Sequence, residues 1–313
     1  MRNNPKIFVI IVTYKGGRWY DKCFGSLRES TMPLQVVAVD NSPGNEDAEY
    51  IKTHYPEVHL IKTNENLGFG RANNLGMRYA LNNGCDYVFL LNQDAWIEND
   101  TINDLVNIHY NNNAFAILSP LHINPKSNQI GMLLDDGHLN YSLLKDSLSN
   151  QLKSLYKIQY VNAAAWLLPR NTLEIIGGFC PLIYHFGEDD DYMSRIHYHG
   201  MTIGLCPKTR VYHDSGAPLE GREQLRARAQ KFNYQDYLNL REVVDLNQRR
   251  IYLLRKILVA FFTMRKKDVV QYFEQYNFLK RNFRQIEYCR KQHMIKQSNW
   301  LLNNYNYNGL NAK

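Results

Sequence analysis

The sequence predicts an α/β protein built on a doubly wound, mostly parallel, Rossmann-like sheet, followed by a helical C-terminal region. Runs of β-branched and aliphatic residues alternate with segments of helical spacing through the first half of the chain. Runs that are apolar at every position are typical of strands covered on both faces, as in parallel sheets. Their alternation with helical segments predicts helices on both sides of the sheet.

Four apolar runs define the predicted parallel strands, which are Ile7–Thr13, Leu34–Asp40, residues 58–62 and Tyr87–Leu91. The last of these reads YVFLL and stops abruptly at the polar residues NQD. Further apolar segments predict strands at residues 114–119, 161–168, 203–206 and 210–213, the last two on either side of Pro207.

Helices are predicted at residues 19–28, 48–55, 70–82, 100–113 and 188–198. The first has apolar residues at four-residue steps, and the last begins with four acids, which complement the dipole of a helix N-terminus. Residues 121–160 are irregular and long for a plain connection, which is typical of a hairpin or a binding loop. From residue 220 to residue 298 the composition is helical with few breakers.

Charge divides the chain into two regions, residues 1–217 and 218–313. The first carries 18 Lys/Arg and 22 Asp/Glu, a net charge of −4, and the second carries 19 and 8, a net charge of +11. The basic region predicts an anionic partner, a membrane surface or nucleic acid, although a solvated helix face fits equally. Five scattered cysteines without a CxxC pair indicate reduced thiols and a cytoplasmic setting. No signal peptide is recognised, and no apolar run reaches the roughly 18 residues of a membrane span.

Polar residues directly follow three of the predicted parallel strands. They are Thr13 and Tyr14, Asp40 and Asn41, and the triplet Asn92, Gln93 and Asp94. Ligands of open α/β sheets bind at the carboxyl ends of the strands, so three such ends on one edge predict a nucleotide-sized crevice. Turn formation alone is the alternative, since Asp and Asn favour turns. For three ends in register we favour the binding site.

A glycine-containing loop, residues 66–70, precedes the third predicted helix. Glycine lets the backbone approach a ligand, and a helix N-terminus offers free N–H groups to an anion. Arg71 could add a contact to a diphosphate. Asn73 stands where the third glycine of the dinucleotide fingerprint would be, so a dehydrogenase is disfavoured.

Two further positions carry candidate chemistry. The acidic run 188–191 is costly to ionise completely, so one of its carboxylates could serve as a general base; a solvated helix start is the simpler interpretation of an isolated run. His213 ends a predicted strand. Paired in space with Asp94, it would form a nitrogen and oxygen site suited to Mn²⁺ or Mg²⁺.

These segments occur in the order TY, VDNS, NxGFGxANN, LLNQDA, GGF, GEDDDYxxR and VYH. In that order and spacing the chain resembles the glycosyltransferase family 2 enzymes of GT-A fold, most closely bacterial rhamnosyltransferase-like and galactosyltransferase-like members. The resemblance covers residues 6–216 and extends less surely to residue 260. It implies an inverting transfer from a nucleoside diphosphate sugar, dTDP-rhamnose or a UDP-hexose, to a glycan or lipid-linked acceptor in surface polysaccharide synthesis.

The resemblance also implies roles for single residues. The positions that bind the nucleotide sugar are Thr13, Tyr14, Asp40, Asn41, Asn66, Arg71, Asn74, Asn92 and Gln93. Asp94 and His213 match ligands of Mn²⁺ or Mg²⁺, and Asn92 stands where the family carries an acid, so weaker metal binding is expected. Asp189 matches the general base that deprotonates the acceptor hydroxyl, with Glu188 and Arg195 in the same motif.

Two questions stay open at the level of sequence. A catalytically silent homologue acting as a membrane-associated scaffold is the alternative function, and the retained Asp94, Asp189 and His213 argue against it. Residues 251–262 are apolar, with basic residues within and around them. They predict peripheral attachment to the inner face of an anionic plasma membrane rather than nucleic-acid binding. Packing on the catalytic domain, or on a second subunit in a homodimer, is the other interpretation.

Overall fold

The computed structural model describes residues 5–131, 141–215 and 234–301, and the strands in these ranges form one nine-stranded sheet. The strands are β1 (Ile7–Thr13), β2 (Leu34–Asp40), β3 (His59–Lys62), β4 (Tyr87–Leu91), β5 (Ala95–Ile97), β6 (Phe115–Ile123), β7 (Tyr156–Ile158), β8 (Ala165–Pro169) and β9 (Thr202–His213). The helices are α1 (Gly17–Arg28), α2 (Glu46–His54), α3 (Phe69–Asn82), α4 (Thr101–Asn111), α5 (Tyr141–Leu148), α6 (Arg170–Ile175), α7 (Glu188–Tyr198), α8 (Tyr234–Leu238), α9 (Leu246–Phe262) and α10 (Lys266–His293). The predicted α/β class with a helical C-terminal region is confirmed.

The sheet order is β3-β2-β1-β4-β8-β6-β9-β5, and β7 also pairs with β9. β3, β2, β1 and β4 are parallel neighbours, as predicted. β8 runs antiparallel to β4 and β6, and β5 and β7 run antiparallel to β9, so the second half of the sheet is mixed. A buried run such as AWLLP indicates a strand but not its direction, which the apolar pattern alone does not encode.

Apolar cores cover both faces of the sheet, as the uninterrupted strand runs predict. Along β1, Phe8 and Ile10 pack in one core with residues of α3 and α7, whereas Ile7 and Val9 pack in a second core with α1 and α4. Gly76 of α3 lies directly over Ile10, where an added Cβ would come within 2.4 Å of the Ile10 Cγ2. This close approach of helix to sheet requires glycine.

β9 is one strand where the sequence predicts two around Pro207, and that prediction is wrong. A register shift in the pairing with β6, between Cys206 and Arg210, absorbs the proline without breaking the strand. Proline is tolerated at such bulges because no ladder hydrogen bond is required of it. β6 also continues past residue 119 to Ile123, and the irregular stretch 121–160 additionally holds α5 and β7.

The described part of the C-terminal region contains three helices, α8, α9 and α10, in agreement with its helical composition. α9 and α10 pack against each other as a hairpin that turns at residues 263–265. The base of the hairpin packs on the sheet-bearing region, where Leu253 and Ile286 share a core with Leu182 and Ile183. The predicted boundary between residues 217 and 218 lies outside the described residues.

The last described residues dock on the turn after α6. Gln297 N–H donates to the Ile175 carbonyl over 3.0 Å, and Gly178 N–H donates to the Asn299 carbonyl over 2.8 Å. Leu301 joins the core beneath α3 and α7. The base of the helical region therefore packs on the rest of the protein, which is one of the two interpretations that the sequence left open. Within the described residues no helix is long and apolar enough to cross a membrane.

Candidate active site

The carboxyl ends of β1, β2 and β4 meet at one edge of the sheet, as the polar strand ends predict. Thr13 and Asp40 are register partners, and Asn41 N–H donates to the Thr13 carbonyl over 2.8 Å. Gln93 braces this edge from the end of β4. Its Oε1 accepts from Tyr14 N–H over 2.8 Å, and its Nε2 donates to the Tyr14 carbonyl over 3.1 Å. Gln93 thereby fixes the position of Tyr14.

Asp40 is fully buried and keeps one oxygen without a hydrogen-bond partner. Its Oδ1 accepts from Ser42 N–H over 3.0 Å, while its Oδ2 has no hydrogen bond and lies 3.8 Å from the Lys62 ammonium. Burial raises the pKa of Asp40, and the hydrogen bond from Ser42 opposes that rise. In native proteins nearly all buried polar atoms have a hydrogen-bond partner. The unpaired Oδ2 of Asp40 is therefore suited to accept a hydrogen bond from an N–H of a ligand.

Asn41 and Asn66 shape the loop that faces these strand ends. The Oδ1 of Asn41 accepts from Leu67 N–H over 2.8 Å, and its Nδ2 donates to the Asn66 Oδ1 over 2.9 Å. The same Asn66 oxygen accepts from Gly68 N–H over 2.9 Å. Both side chains are therefore engaged in holding the loop, and the exposed Asn66 borders solvent.

Arg71 and Asn74 of α3 contact the segment that leads to α7. Arg71 Nε donates to the Pro181 carbonyl over 2.9 Å. The buried Asn74 donates from Nδ2 to the Phe179 carbonyl over 2.9 Å and accepts at Oδ1 from Phe179 N–H over 2.7 Å. This two-point pairing occupies the Asn74 amide, so the residue fixes the GGF segment against α3.

β5 and β9 bring Asp94 and His213 together, as the hypothesis of a shared site requires. Ala95 and His213 are antiparallel register partners. The Nε2 of His213 lies 3.3 Å from the Asp94 Oδ1 and 3.5 Å from the Asn92 Nδ2. The side chains of His213 and Asp94 are 11% and 15% exposed, so both remain accessible from the crevice side.

This pair offers part of a divalent metal site. One imidazole and one carboxylate are ligands that Mn²⁺ accepts, and Mg²⁺ in nucleotide sites is commonly held by one or two carboxylates together with substrate phosphates. Among the residues that the structure describes, no group of three or more His, Cys, Asp or Glu side chains could hold a metal ion. The ligand set therefore fits an ion that is shared with a diphosphate.

His122, which the sequence did not single out, lies behind this pair. Its ring is 6.1 Å from the His213 ring, centroid to centroid, and nearly perpendicular to it. Burial, followed by the neighbouring His213, lowers the pKa of His122 to about 3. His122 is therefore neutral and places no positive charge beside the candidate metal ligands.

Glu188 and Asp189 begin α7, as the acidic run predicts. The turn before them is strained, with φ angles of 64° at Phe186 and 94° at Gly187. A positive φ is costly for a non-glycine residue and persists only where packing enforces it. Here Gln235 of α8 packs directly on the turn, and its Oε1 occupies the space that an added Cβ on Gly187 would need. The packing that enforces this strained turn also fixes the start of α7.

Both carboxyl groups of this pair have raised pKa values. Burial, with a smaller effect of Asp189, raises the pKa of Glu188 to about 8. Burial also raises the pKa of Asp189, but the Tyr160 hydroxyl, which donates to Asp189 Oδ2 over 2.9 Å, lowers it. Of the two, Glu188 is therefore the carboxyl that more readily keeps its proton, and Asp189 is the one better equipped to carry charge. No pattern in the sequence indicated a functional role for Tyr160, because it lies at the end of the irregular stretch 121–160.

Residues 163 and 164 connect the two halves of the site. Asn92 N–H donates to the Ala164 carbonyl over 2.9 Å, and the backbone N–H of Ala163 lies by the Asp189 carboxylate and lowers its pKa. The polar end of β4 and the start of α7 therefore flank the same two residues. Asp94, two residues beyond Asn92, and the candidate base therefore lie near one short segment.

The side chain of Arg195, a residue of α7, is buried to 1% exposure. Its Nε donates to the Asp191 Oδ2 over 3.0 Å, and one terminal nitrogen donates to the Ile176 carbonyl over 2.9 Å. His293 of α10 lies 3.5 Å from the other Asp191 oxygen. These contacts give Arg195 a positioning role, because they tie α7 to the end of α6.

Comparison with known families decides the identity of this fold and site. The sequence profile described as Glycosyl transferase family 2 matches residues 8–174, from β1 into α6, which is more than half of the chain. The chain belongs to glycosyltransferase family 2. The predicted family is thereby confirmed, and the protein is a glycosyltransferase.

Two characterised relatives are similar to this glycosyltransferase over most of their length. The low-salt glycan biosynthesis hexosyltransferase Agl10 of Haloferax volcanii is 25% identical over 236 residues, 74% of this chain and 72% of that protein. The dTDP-rhamnosyl transferase RfbF of Shigella flexneri is 23% identical over 219 residues, 68% of this chain and 70% of that protein. RfbF agrees with the rhamnosyltransferase-like resemblance, and Agl10 is a hexosyltransferase, the broader class that includes galactosyltransferases.

Solved structures confirm the GT-A fold of this glycosyltransferase. The mannosyltransferase PcManGT from Pyrobaculum calidifontis, in complex with GDP-Man and Mn²⁺, has a TM-score of 0.56 and 20% identity. That likeness covers 78% of this chain but 66% of the other, just under two thirds of its length. GalNAc-T7 with UDP, GalNAc and Mn²⁺ has a TM-score of 0.57 and 16% identity, covering 96% of this chain and 56% of the other.

Proposed function

We propose that this glycosyltransferase moves a sugar from a nucleoside diphosphate donor, dTDP-rhamnose or a UDP-hexose, to a glycan or lipid-linked acceptor, with inversion at the anomeric carbon. The single observation that carries this proposal is that Asn92, two residues before Asp94 and its neighbour His213, and the candidate base Asp189 both adjoin residues 163 and 164. Single displacement needs a leaving-group side and a base side that face each other across the sugar. These two groups supply them.

The nucleoside would bind at the ends of β1 and β2. The unpaired Oδ2 of Asp40 is suited to an N–H of the base, and Thr13 and Tyr14 would line the pocket beside it. Asn41 and Asn66 would act through the loop that they hold, while Gln93 would act by bracing Tyr14. Arg71 and Asn74 would position the segment 179–181 against α3.

Asp94 and His213 would hold a divalent ion, Mn²⁺ or Mg²⁺, together with the donor diphosphate, and Asn92 lies within reach of the same group. The ion, when bound, would stabilise the negative charge that develops on the departing nucleoside diphosphate. Two solved structures of similar fold contain Mn²⁺, PcManGT with GDP-Man and GalNAc-T7 with UDP and GalNAc, and they support this assignment. With one carboxylate and one imidazole, the protein alone should bind the ion weakly.

Asp189 would act as the general base. As the acceptor oxygen forms its bond to the anomeric carbon, the bond from that carbon to the diphosphate oxygen breaks, and the acceptor proton passes to Asp189. A base with a raised pKa is effective near neutral pH, since the driving force for proton transfer is greater. The protonated Glu188 beside it would avoid a second negative charge, because its pKa is about 8.

The basic C-terminal region supports a peripheral membrane contact, which would suit a lipid-linked acceptor at the inner face of the plasma membrane. The alternative function is a silent homologue that acts as a membrane-associated scaffold. The hydrogen bond that Tyr160 gives to Asp189 argues against it, because a scaffold has no use for a half-buried, oriented carboxylate.

The test compares Asp189→Asn with the matched control Asp190→Asn, whose carboxyl is exposed at the next position of α7. Wild type is screened with a panel of dTDP-, UDP- and GDP-sugars for transfer and hydrolysis. Asp189→Asn should lose at least about a hundredfold in turnover while its nucleotide affinity is retained, and the control should keep both. Unchanged turnover in Asp189→Asn would remove the base assignment. Nucleotide binding without turnover of any donor by wild type would favour the scaffold.

A further inference from the structure

The α9–α10 hairpin exposes large apolar side chains to solvent, from Ile251 on α9 to the turn at residues 263–265. Six of them, which we call the apolar tip, are between 43% and 79% exposed. They are Ile251, Leu254, Leu258, Phe261, Phe262 and Met264. Single exposed apolar residues are ordinary, but a contiguous patch on one element marks an interaction surface.

Four residues of the apolar tip lie on one face of α9, away from the face that packs on the rest of the protein. Leu246, Leu253 and Ala260 recur at seven-residue intervals and are buried. Ile251, Leu254, Leu258 and Phe262 follow one another at steps of three and four residues, which places them on a single stripe. The packing of α9 on the rest of the protein is therefore satisfied by its other face, and the exposed stripe contributes nothing to that core.

The charge along the apolar tip is predominantly positive, and the carboxylate of Asp268 lies 3.9 Å from Arg265. The nineteen residues from 249 to 267 include seven Lys or Arg and no Asp or Glu. Three of the seven, Arg265, Lys266 and Lys267, follow Met264 directly at the turn of the hairpin. Apolar side chains with flanking cations are the features of segments that lie in the interface of an anionic bilayer.

We propose that the apolar tip inserts into the headgroup region of an anionic membrane and docks the enzyme there. A second copy of the chain is the competing occupant. A two-fold contact through this stripe would set seven cations against the same seven of its partner, since such interfaces are self-complementary. An anionic bilayer neutralises those charges while it takes up the apolar side chains. α9 has 17 residues and lies at the surface of the membrane without crossing it.

The hairpin transmits this docking to the candidate site. Its base shares a core with residues 180–183, which precede the Phe186–Gly187 turn and Asp189, and residues 297–301 bond to the turn after α6. The tip and the candidate base therefore belong to one packed unit. Resting on the proposed function, the docking would present the acceptor side of the site to a lipid-linked acceptor.

Deleting the helical region is a poor test, because residues 297–301 complete the fold around Gly177 and Gly178. Point variants of the full chain are used instead. The apolar variant is Leu258→Ser with Phe262→Ser, and the charge variant is Lys266→Glu with Lys267→Glu. The matched controls are Tyr110→Ser, an aromatic residue 58% exposed on α4, and Lys52→Glu, an exposed lysine on α2.

Each protein is sedimented with vesicles of phosphatidylcholine alone and with vesicles that contain phosphatidylglycerol. Wild type and controls should bind the anionic vesicles, and both tip variants should bind roughly tenfold or more weakly. In a second readout, Phe262→Trp should be quenched by lipids brominated on their acyl chains, whereas Tyr110→Trp should not. Hydrolysis of the nucleotide sugar without vesicles should be unchanged in the tip variants, which shows that they are folded.

Absence of wild-type binding to anionic vesicles would overturn the inference, and so would a tip variant that binds these vesicles as well as wild type does. A dimer in sedimentation velocity that Leu258→Ser with Phe262→Ser dissociates, without vesicle binding, would assign the surface to a second copy. Vesicle binding by a protein that turns over no donor would support the docking surface while the proposed function fails. The two proposals are therefore tested separately.

Discussion

The hydroxyl of Tyr160 donates a hydrogen bond of 2.9 Å to the Oδ2 of Asp189, and so joins the segment before β8 to the start of α7. A donor to a carboxylate stabilises its charged form, which lowers the pKa that burial has raised. Tyr160 is thus a positioning residue for the candidate base. It both orients the carboxylate and sets the pH at which the carboxylate can accept a proton.

Replacing Tyr160 with Phe should shift the pH profile of transfer. Without the hydroxyl the pKa of Asp189 rises further, so the carboxylate stays protonated to higher pH and the acidic limb of kcat moves in the alkaline direction. Near neutral pH we expect kcat to fall roughly threefold to tenfold, and activity to recover as the pH rises. The measurement is kcat against pH at saturating donor.

The control for this prediction is Tyr156→Phe, which removes a hydroxyl that donates to Asp146 over 2.8 Å, away from the candidate base. Its profile should match that of wild type. A parallel loss of kcat at every pH in Tyr160→Phe would contradict the pKa effect and indicate a purely structural role.

Metal binding should depend on the nucleotide. Asp94 and His213 supply two ligands, so the free protein should bind Mn²⁺ weakly, and a nucleoside diphosphate should strengthen binding by roughly tenfold or more. Chelation should abolish transfer, and added Mn²⁺ should restore it. Electron paramagnetic resonance of Mn²⁺ titrated with and without nucleotide measures this directly. In Asp94→Asn the nucleotide-dependent step should be lost, and tight binding to the free wild-type protein would show that other ligands exist.

Much of this architecture follows from local sequence signals. The runs ending at Thr13, Asp40 and Leu91 are apolar on both faces and stop at polar residues, so strand, burial and crevice can be predicted together. The pairing of Asp94 with His213 could be proposed because each residue lies at the end of a predicted strand. The antiparallel pairings in the second half of the sheet could not be predicted, because an apolar run does not indicate the direction of its strand.

The contacts that the sequence left undetermined are long-range ones. Tyr160 reaches Asp189 across 29 positions, and nothing in the spacing of the intervening residues marks that pairing. Arg195 looks like any arginine at the end of an acidic helix until Asp191, the Ile176 carbonyl and His293 surround it. Such roles are decided by which surfaces pack, which local patterns do not contain.

Nucleotide affinity should depend on the charged form of Asp40. Because burial raises the pKa of this carboxyl, protonation on acidification begins at higher pH than for an exposed Asp, and the protonated oxygen is a poor acceptor. Affinity for UDP or dTDP should therefore fall as the pH drops through that raised pKa. Asp40→Asn, which offers an N–H where the ligand offers one, should weaken binding about tenfold or more at all pH values. Calorimetry measures both effects, with Asp104→Asn on α4 as the control; a pH-independent wild-type affinity would contradict the assignment.

Two Arg–acid pairs at i and i+4 spacing allow the role of Arg195 to be tested against a matched exposed pair. The side chains of Arg195 and Asp191 are 1% and 0% exposed, whereas those of Arg170 and Glu174 are 42% and 48% exposed. Arg195→Leu leaves Asp191 buried without its partner, and should lower the free energy of unfolding by about 3–5 kcal/mol. Arg170→Leu should cost less than about 1 kcal/mol.

The loss in Arg195→Leu should also depend on pH. Burial raises the pKa of Asp191, and Arg195 opposes that rise, so in the variant the folded state holds the Asp191 proton to higher pH than the unfolded state does. Because stability falls with rising pH wherever the folded state binds more protons, the deficit should be larger at alkaline than at acidic pH. Urea denaturation across pH measures it. A variant of wild-type stability that loses only turnover would place Arg195 in the chemistry itself, as the family resemblance implies.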